Sequence, residues 1–369
     1  MSNLRDTFNE IEQFKPTVIT SLTEISDLDI TCKSIIEHLL NSANSSNQKS
    51  ALKIQAVIDY MYEQVNIGNW KEVRLYLRKT LTIATYIRLL VHLKLSASLS
   101  NEVIKEGLKI IDFGILFGCP TDGVPNLLQA CASHLHSAIN HDKTVPEFDG
   151  KSILNSTHKS VSNIYNCNIL NVINCPSMEH FFTNYILAEK PVILDNCISH
   201  WPAITKWQDQ NYFIKLAGLR TVAIELGRDY TDSKWTQKLM TIEEFIKNHI
   251  YNDNGMTGYL AQYQLFDQIP ELKKDIIEPE YCCFSDNTSS VDIMAWYGPR
   301  GTVSPLHHDP KKNLLAQVVG EKLIFLFSPE ESEKLYPHSH ELLGNTARVD
   351  PRQPNLEKYP KYKEIKGHY

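Results

Sequence analysis

Gly301-Thr302-Val303-Ser304-Pro305-Leu306-His307-His308-Asp309-Pro310 is the stretch on which the reading of the fold turns. As a β-strand it alternates its side chains, so His307 and Asp309 share one face and His308 points the other way. A His and a carboxylate side by side on the inner wall of a barrel supply two corners of a facial triad. Such a triad, two His and one carboxylate, holds Fe(II) and leaves positions open for a cosubstrate and oxygen. The bare pattern has low specificity, since a chain with 14 His shows it about once by chance. The same residues also suit a solvated turn ahead of Pro310.

Downstream, Lys322 lies within the apolar stretch Leu314–Phe327. An inward-pointing ammonium there needs an anionic partner, because an isolated buried charge is costly. The distal carboxylate of a dicarboxylate cosubstrate is one such partner. An outward Lys with its stem lying along the sheet fits the periodicity equally well.

Upstream the texture is of short β-branched runs: Ile169–Ile173, Pro191–Leu194, Thr221–Leu226, Thr257–Ala261 and Ile293–Tyr297. With Val303–Asp309, Leu314–Val319 and Leu323–Phe327 they make eight expected strands. Two helices interrupt them, one after Ser177 and one opened by a capping box of Thr241 with Glu244. Many short strands with few helices between them predict an antiparallel barrel or sandwich rather than a doubly wound sheet.

The first 140 or so residues read differently. Ile54, Val57, Ile58, Met61 and Val65 follow helical spacing up to Gly68, and Asn69 with Glu72 resembles the capped start of the next helix. Val73, Leu77 and Leu81 would extend one apolar face of that helix. A third runs from about Glu102 through Ile104, Leu108 and Ile111, and Pro125 opens a fourth that reaches His136. These predict an antiparallel helical array. The expected domains are residues 1–141 (helical), 142–168 (a polar linker) and 169–369, giving an α+β chain overall.

Composition narrows the function. Lys and Arg number 37 against 43 Asp and Glu, for a net charge of −6, which argues against direct nucleic-acid binding. Eight Cys are scattered without a CxxC pair, which excludes a zinc ribbon and reads as free thiols in a reducing compartment. The polar N-terminus lacks a secretory apolar segment, and no run reaches the roughly 18 apolar residues of a membrane span. The expected setting is soluble, nuclear or cytoplasmic, with no membrane partner. GxGxxG, GxxxxGK[ST] and GxSxG are absent, which removes the commonest nucleotide and hydrolase readings.

From about Ile169 to Glu364 the chain resembles the JmjC-domain Fe(II)/2-oxoglutarate oxygenases, and within them the arginyl-hydroxylase branch. The likeness rests on Lys190-Pro191-Val192-Ile193-Leu194, Trp201-Pro202-Ala203, Tyr259-Leu260-Ala261-Gln262 and Leu265–Leu272. It continues through Ala295-Trp296-Tyr297-Gly298-Pro299, Ser304–Asp309, Leu335-Tyr336-Pro337-His338 and Leu356–Pro360. The helical N-terminal region fits the same family's interaction domain.

The resemblance implies a double-stranded β-helix (cupin-like jelly roll). It implies His307 and Asp309 as iron ligands, and Tyr259, Ser304, Asn313 and Lys322 as the binders of 2-oxoglutarate. It also implies hydroxylation of an arginine side chain in a protein substrate, with Glu225, Gln262 and Trp296 lining the substrate pocket. Two of these residue types suit an arginine side chain, since a carboxylate pairs with a guanidinium and an indole stacks on its plane. Taken without the family, Glu225 reads as a surface strand residue and Trp296 as a core aromatic.

The likeness departs after Glu364, where Ile365-Lys366-Gly367-His368-Tyr369 replaces the family's late strands. The family's second His ligand has no clear counterpart, because His368 comes earlier than the pattern places it. The expectation is therefore a JmjC domain incomplete at its C-terminal side, lacking the third ligand and last strands, and impaired as an oxygenase. Two competing readings follow. One is a protein hydroxylase acting on arginine, or a methyl-lysine demethylase, in histone or other protein substrates. The other is a non-catalytic interaction protein that binds a chromatin-associated partner through its N-terminal helices beside a degenerate barrel.

Overall fold

In the computed structural model, residues 4–41, 47–69, 72–139, 164–251, 255–284, 291–339 and 343–369 are described. The expected linker lies outside the described residues for most of its length, between 142 and 163. Among the described residues no helix is long and apolar enough to cross a membrane.

Among the described residues of the first region there are seven α-helices: α1 (Leu4–Glu12), α2 (Lys15–Thr23), α3 (Ile30–Asn41), α4 (Gln48–Val65), α5 (Leu75–Leu95), α6 (Asn101–Phe117) and α7 (Leu127–Ser137). Caps set several of the starts. The Asn47 side chain accepts from the Ser50 amide at 3.0 Å, and the Ser100 hydroxyl accepts from the Val103 amide at 3.3 Å. Ile54, Val57, Ile58 and Met61 of α4 are buried as the spacing predicts.

α5 departs from its reading twice. It begins at Leu75 rather than at Asn69, whose carbonyl only closes a turn on the Glu72 amide. And it is buried all round from Thr80 to Ile87, not along one face. Two of its threonines help make this feasible: the Thr80 hydroxyl donates to the Tyr76 carbonyl at 2.8 Å, and that of Thr82 to the Cys119 carbonyl at 2.8 Å, whereas the buried Thr85 hydroxyl has no partner among the described residues. The other helices pack around this central rod in one continuous apolar core.

The second region begins with β1 (Cys167–Asn168), β2 (Val172–Asn174), α8 (Met178–Phe181) and β3 (Ile193–Asp195). α9 (Pro202–Lys206) and α10 (Gln210–Ala217) lead to β4 (Thr221–Leu226) and β5 (Thr236–Thr241). Then come α11 (Ile242–Phe245), β6 (Gly258–Tyr263), α12 (Leu265–Gln268), α13 (Pro270–Lys273), β7 (Ala295–Tyr297), β8 (Leu326–Phe327) and β9 (Gly367–His368). The largest sheet runs β5-β4-β6-β7, antiparallel throughout. A three-stranded sheet, β1-β9-β8, and a parallel pair, β2-β3, complete the described strands. The result is a helical region followed by a cupin-like α+β region.

The Thr241–Glu244 capping box forms in both directions, at 3.1 and 3.0 Å. Other expectations are corrected. Val303–Asp309 forms no strand beyond a single bridge, His307 with Thr346, and Leu314–Val319 joins no ladder. Leu323–Phe327 contracts to β8. Leu314, Leu315, Leu323 and Ile324 are exposed, whereas Val222, Ile224 and Leu226 of β4 enter the second core beside Phe245 and Leu260. All eight cysteines are free thiols.

Candidate active site

β4 sets the geometry. Its burial alternates strictly, with Val222, Ile224 and Leu226 in the core, so Thr221, Ala223 and Glu225 take the opposite face. β6 lies antiparallel to it and brings Tyr259 directly across from Glu225. On β7, Tyr297 pairs with the core-facing Leu260 and packs on Phe213 and Phe245, so Trp296 turns to the same side as Glu225 and Tyr259. Trp296 is 41% exposed, which rules out the core-aromatic reading. A bulge interrupts the β6–β7 register between Leu260 and Tyr263, and Gln262 within it takes a left-handed φ of 48°.

A small cleft on this face, with a volume of about 10 Å³, is lined by Glu225, Arg228, Asp229, Trp235, Tyr259 and Val303. The Trp235 indole donates to the Glu225 carboxylate at 3.2 Å. Burial pushes the Glu225 carboxyl above its ordinary range, and the indole bond offsets only part of that. The Lys322 ammonium donates to the Tyr259 hydroxyl at 3.0 Å and lies 5.7 Å from the centre of its ring. Lys322 is exposed, closer to the outward reading of the sequence, and its ammonium keeps donors open to an anion. Gly298 presses on the same ring: a Cβ there would stand 2.7 Å from Tyr259 Cδ2.

His307 and Asp309 come from a segment tied down by backbone bonds. The Ala347 amide donates to the Leu306 carbonyl at 2.8 Å, and the His308 amide to the Asn345 carbonyl at 3.0 Å. The His307 Nε2 and Asp309 Oδ2 atoms stand 3.8 Å apart. His307 Nδ1 lies 2.7 Å from the Pro305 carbonyl, which can only accept, so Nδ1 donates there and Nε2 is the ring nitrogen turned toward the carboxylate. Asn313 donates to Asp309 Oδ2 at 3.0 Å. An oriented imidazole beside a hydrogen-bonded carboxylate is the donor set a divalent iron takes, with the outer partners that hold such ligands in place. It fills two protein positions. Among the described residues no third His, Cys, Asp or Glu completes a cluster. His368 stands on β9, paired with Asn168 and Leu326.

The sequence-derived residues therefore fall into two groups, Glu225–Tyr259–Lys322 and His307–Asp309–Asn313. Ser304, Gln262 and Trp296 are exposed and make no hydrogen bond among the described residues. Sequence reasoning missed Tyr230. Its ring meets that of His307 edge-on at 6.5 Å, and its hydroxyl lies 3.3 Å from Thr346 Oγ1. Burial raises the Tyr230 hydroxyl, the Thr346 bond offsets part of that, and the Asp229, Asp309 and Glu225 carboxylates add smaller upward contributions. A Tyr in the polar loop Gly227–Trp235 carries no pattern that marks it.

Residues 178–369 match the Cupin-like domain family. Lysine-specific demethylase 8 of Xenopus tropicalis is 36% identical over 356 residues, covering 84% of this chain and 79% of that protein. Its namesake in Danio rerio is 39% identical over 323 residues, covering 85% and 78%. Jumonji C domain-containing protein 5 of Drosophila melanogaster is 38% identical over 348 residues, covering 90% and 83%. The chain belongs to the JmjC family. JmjC proteins of this kind are 2-oxoglutarate-dependent oxygenases, and the likeness extends beyond the cupin-like region into the helices.

Proposed function

We propose that this JmjC protein is an Fe(II)- and 2-oxoglutarate-dependent hydroxylase of arginine side chains in protein substrates. One observation carries the reading: Glu225 and Tyr259 are cross-strand partners, and Tyr259 in turn holds the Lys322 ammonium. One side of the pair thus offers a carboxylate to a cation, and the other offers an ammonium to an anion.

In this reading His307 and Asp309 hold the iron. Lys322, Tyr259, Asn313 and Ser304 would hold 2-oxoglutarate, the Lys322 ammonium supplying a positive charge for a carboxylate. Bound iron and 2-oxoglutarate would let dioxygen hydroxylate a C–H bond, one oxygen atom entering the product and the other entering the succinate formed as 2-oxoglutarate loses CO2. The chain's own residues do the rest. The Pro305 carbonyl keeps the His307 proton on Nδ1. Asn313 orients Asp309, leaving its remaining lone pairs for the metal. Glu225, once deprotonated, pairs with the guanidinium in a planar two-bond geometry, and Trp296 and Gln262 flank the substrate chain.

Methyl-lysine demethylation is the second reading, favoured by the names of the vertebrate relatives. It shares the hydroxylation step, but a methylated ammonium lacks the paired N–H donors that a carboxylate such as Glu225 matches. Histones and other chromatin-associated proteins fit as substrates or as partners of the helices, with a nuclear or cytoplasmic setting. Full-length protein incubated with ferrous iron, 2-oxoglutarate and arginine-containing peptides tests this. With two protein ligands at the iron we expect turnover to be impaired: slow formation of succinate and of a peptide heavier by one oxygen, both lost in His307→Ala and Lys322→Ala, whereas robust turnover would overturn the expected impairment. Loss of methyl groups from a methyl-lysine peptide without arginine oxidation would favour demethylation. Absence of iron binding and of turnover would favour a non-catalytic interaction protein.

A further inference from the structure

The densest polar network in the molecule lies outside the cleft, where the helical region meets β4. Asp112 of α6 is fully buried, Arg220 is 3% exposed and Gln268 of α12 is 2% exposed. Arg220 Nε donates to both Asp112 carboxylate oxygens, at 2.9 and 3.2 Å, and its second amine to Oδ1 at 2.7 Å. The Thr221 amide donates to Asp112 Oδ2 at 2.6 Å, and Gln268 Nε2 donates to Oδ1 at 2.8 Å. Gln268 also donates to the Thr221 carbonyl at 2.7 Å and accepts from the Tyr263 hydroxyl at 2.5 Å. Arg220 finishes on the Gln268 carbonyl at 3.0 Å.

The position of these bonds matters more than their number. In an antiparallel strand, residues two and four apart point their N–H and C=O to the same neighbour, so Thr221 faces the β6 side as Glu225 does. At Glu225 and Leu226 that neighbour is β6 itself, paired through Tyr259 and Gly258. At Thr221 the β4–β6 pairing has ended, beside the bulge at Gln262. Asp112 and Gln268 take the place of the strand partner there and bond both backbone groups of Thr221. Tyr263, the last residue of β6, is drawn into the same network.

A buried ion pair of this kind specifies arrangement more than it stabilises, because desolvation of both charges offsets their attraction. It commits the helical region to one orientation on the sheet. Gln129 to the Asp267 carbonyl at 3.2 Å and His136 to the Lys215 carbonyl at 2.9 Å extend the seam along α7.

We infer that Asp112 is a positioning residue for the active site: the helical region fixes the open end of the β4–β6 ribbon and, through it, the placement of Glu225 against Tyr259. This rests on the reading of Glu225 as the substrate carboxylate. The helices are then a working part of the enzyme as well as a surface for partners.

Amide hydrogen exchange on the full chain tests it without requiring turnover. Asp112→Asn keeps the shape and removes the charge. We expect exchange at residues 221–226 and 258–263 to accelerate at least tenfold while α4 is unchanged. Ile54→Val, a truncation within the helical core away from the seam, should leave β4 exchange as in the native chain. Equal acceleration of β4 by both variants, or none by Asp112→Asn, overturns the inference. Should Asp112→Asn fail to fold, Asp112→Leu/Arg220→Met restores an uncharged packed seam. It should fold yet still exchange quickly at Thr221, whose N–H has lost its acceptor, and a protected Thr221 there overturns the role. In turnover assays, Asp112→Asn should raise the KM for an arginine peptide several-fold and that for 2-oxoglutarate as well, because Tyr259 lies in the loosened strand. Exchange results stand whatever the substrate proves to be, so failure of the arginine reading and failure of the positioning role remain separable.

Discussion

The helical region and the segment 302–327 contain similar densities of aliphatic residues and use them in opposite ways. α5 is sheathed on every side from Thr80 to Ile87, while Leu314, Leu315, Leu323 and Ile324 lie open to solvent. A helix closes its own backbone bonds within four residues and needs neighbours only for its side chains. A strand needs a partner for both, and that partner is set by chain elsewhere. Apolar content alone therefore says little about where a core forms.

Removing a large side chain from each core gives the strongest test of this contrast. Phe245→Ala, beneath the β4–β6 sheet, should cost about 4 kcal/mol, and Leu108→Ala in α6 about 3 kcal/mol. Denaturant unfolding followed by fluorescence and by far-ultraviolet dichroism should lower one shared transition in both cases. Two separated transitions would show that the regions unfold independently across the seam.

Next in size is Asp275, a buried carboxylate bonded by Lys206 at 2.6 Å, Trp207 at 3.1 Å and Tyr212. Burial alone would raise its carboxyl, but the three donors outweigh it and hold it below the usual range. A lowered folded value favours the folded state above the ordinary aspartate pKa, and the benefit is lost as pH falls through the lowered value. Asp275→Asn should cost about 2 kcal/mol at neutral pH and flatten the acid limb of the stability profile.

Glu225 has the opposite sign. Its raised folded value gives a contribution present below the ordinary glutamate pKa and lost as pH rises through the folded one. Glu225→Gln should therefore be slightly more stable at pH 8, by about 0.5 kcal/mol after solvent screening, while arginine-peptide affinity collapses. Titration calorimetry beside thermal denaturation checks both. The smallest effect belongs to Leu315→Ser, within about 0.5 kcal/mol of the native chain, because its side chain is already 52% exposed. A loss comparable to that of Leu108→Ala would mean that this segment is covered in solution.

Legibility followed the same divide. Thr221–Leu226 was readable because its alternation is its burial, and the Thr241–Glu244 box because both bonding partners lie within one turn. β5, Thr-Gln-Lys-Leu-Met-Thr, has no alternating pattern and is made a strand by β4 alongside it. The expected strands after Thr302 had β-branched content but met no ladder among the described residues, β8 excepted. At the site, alternation points to His307 with Asp309 and the apolar stretch points to Lys322, but spacing leaves each open to a bland alternative, and Tyr259 comes only through the family likeness. Asp112 was invisible for a simpler reason: a lone acid next to Ile111 gains meaning only from an Arg 108 positions further on.

The bond from the Trp235 indole to Glu225 has a practical corollary. A cation that takes the carboxylate for itself withdraws the acceptor from an excited indole whose emission depends on that bond. Binding in the cleft thus carries its own optical signal, and Trp235→Phe would remove the part that depends on that bond while leaving Trp296, on the same face, to report on the substrate.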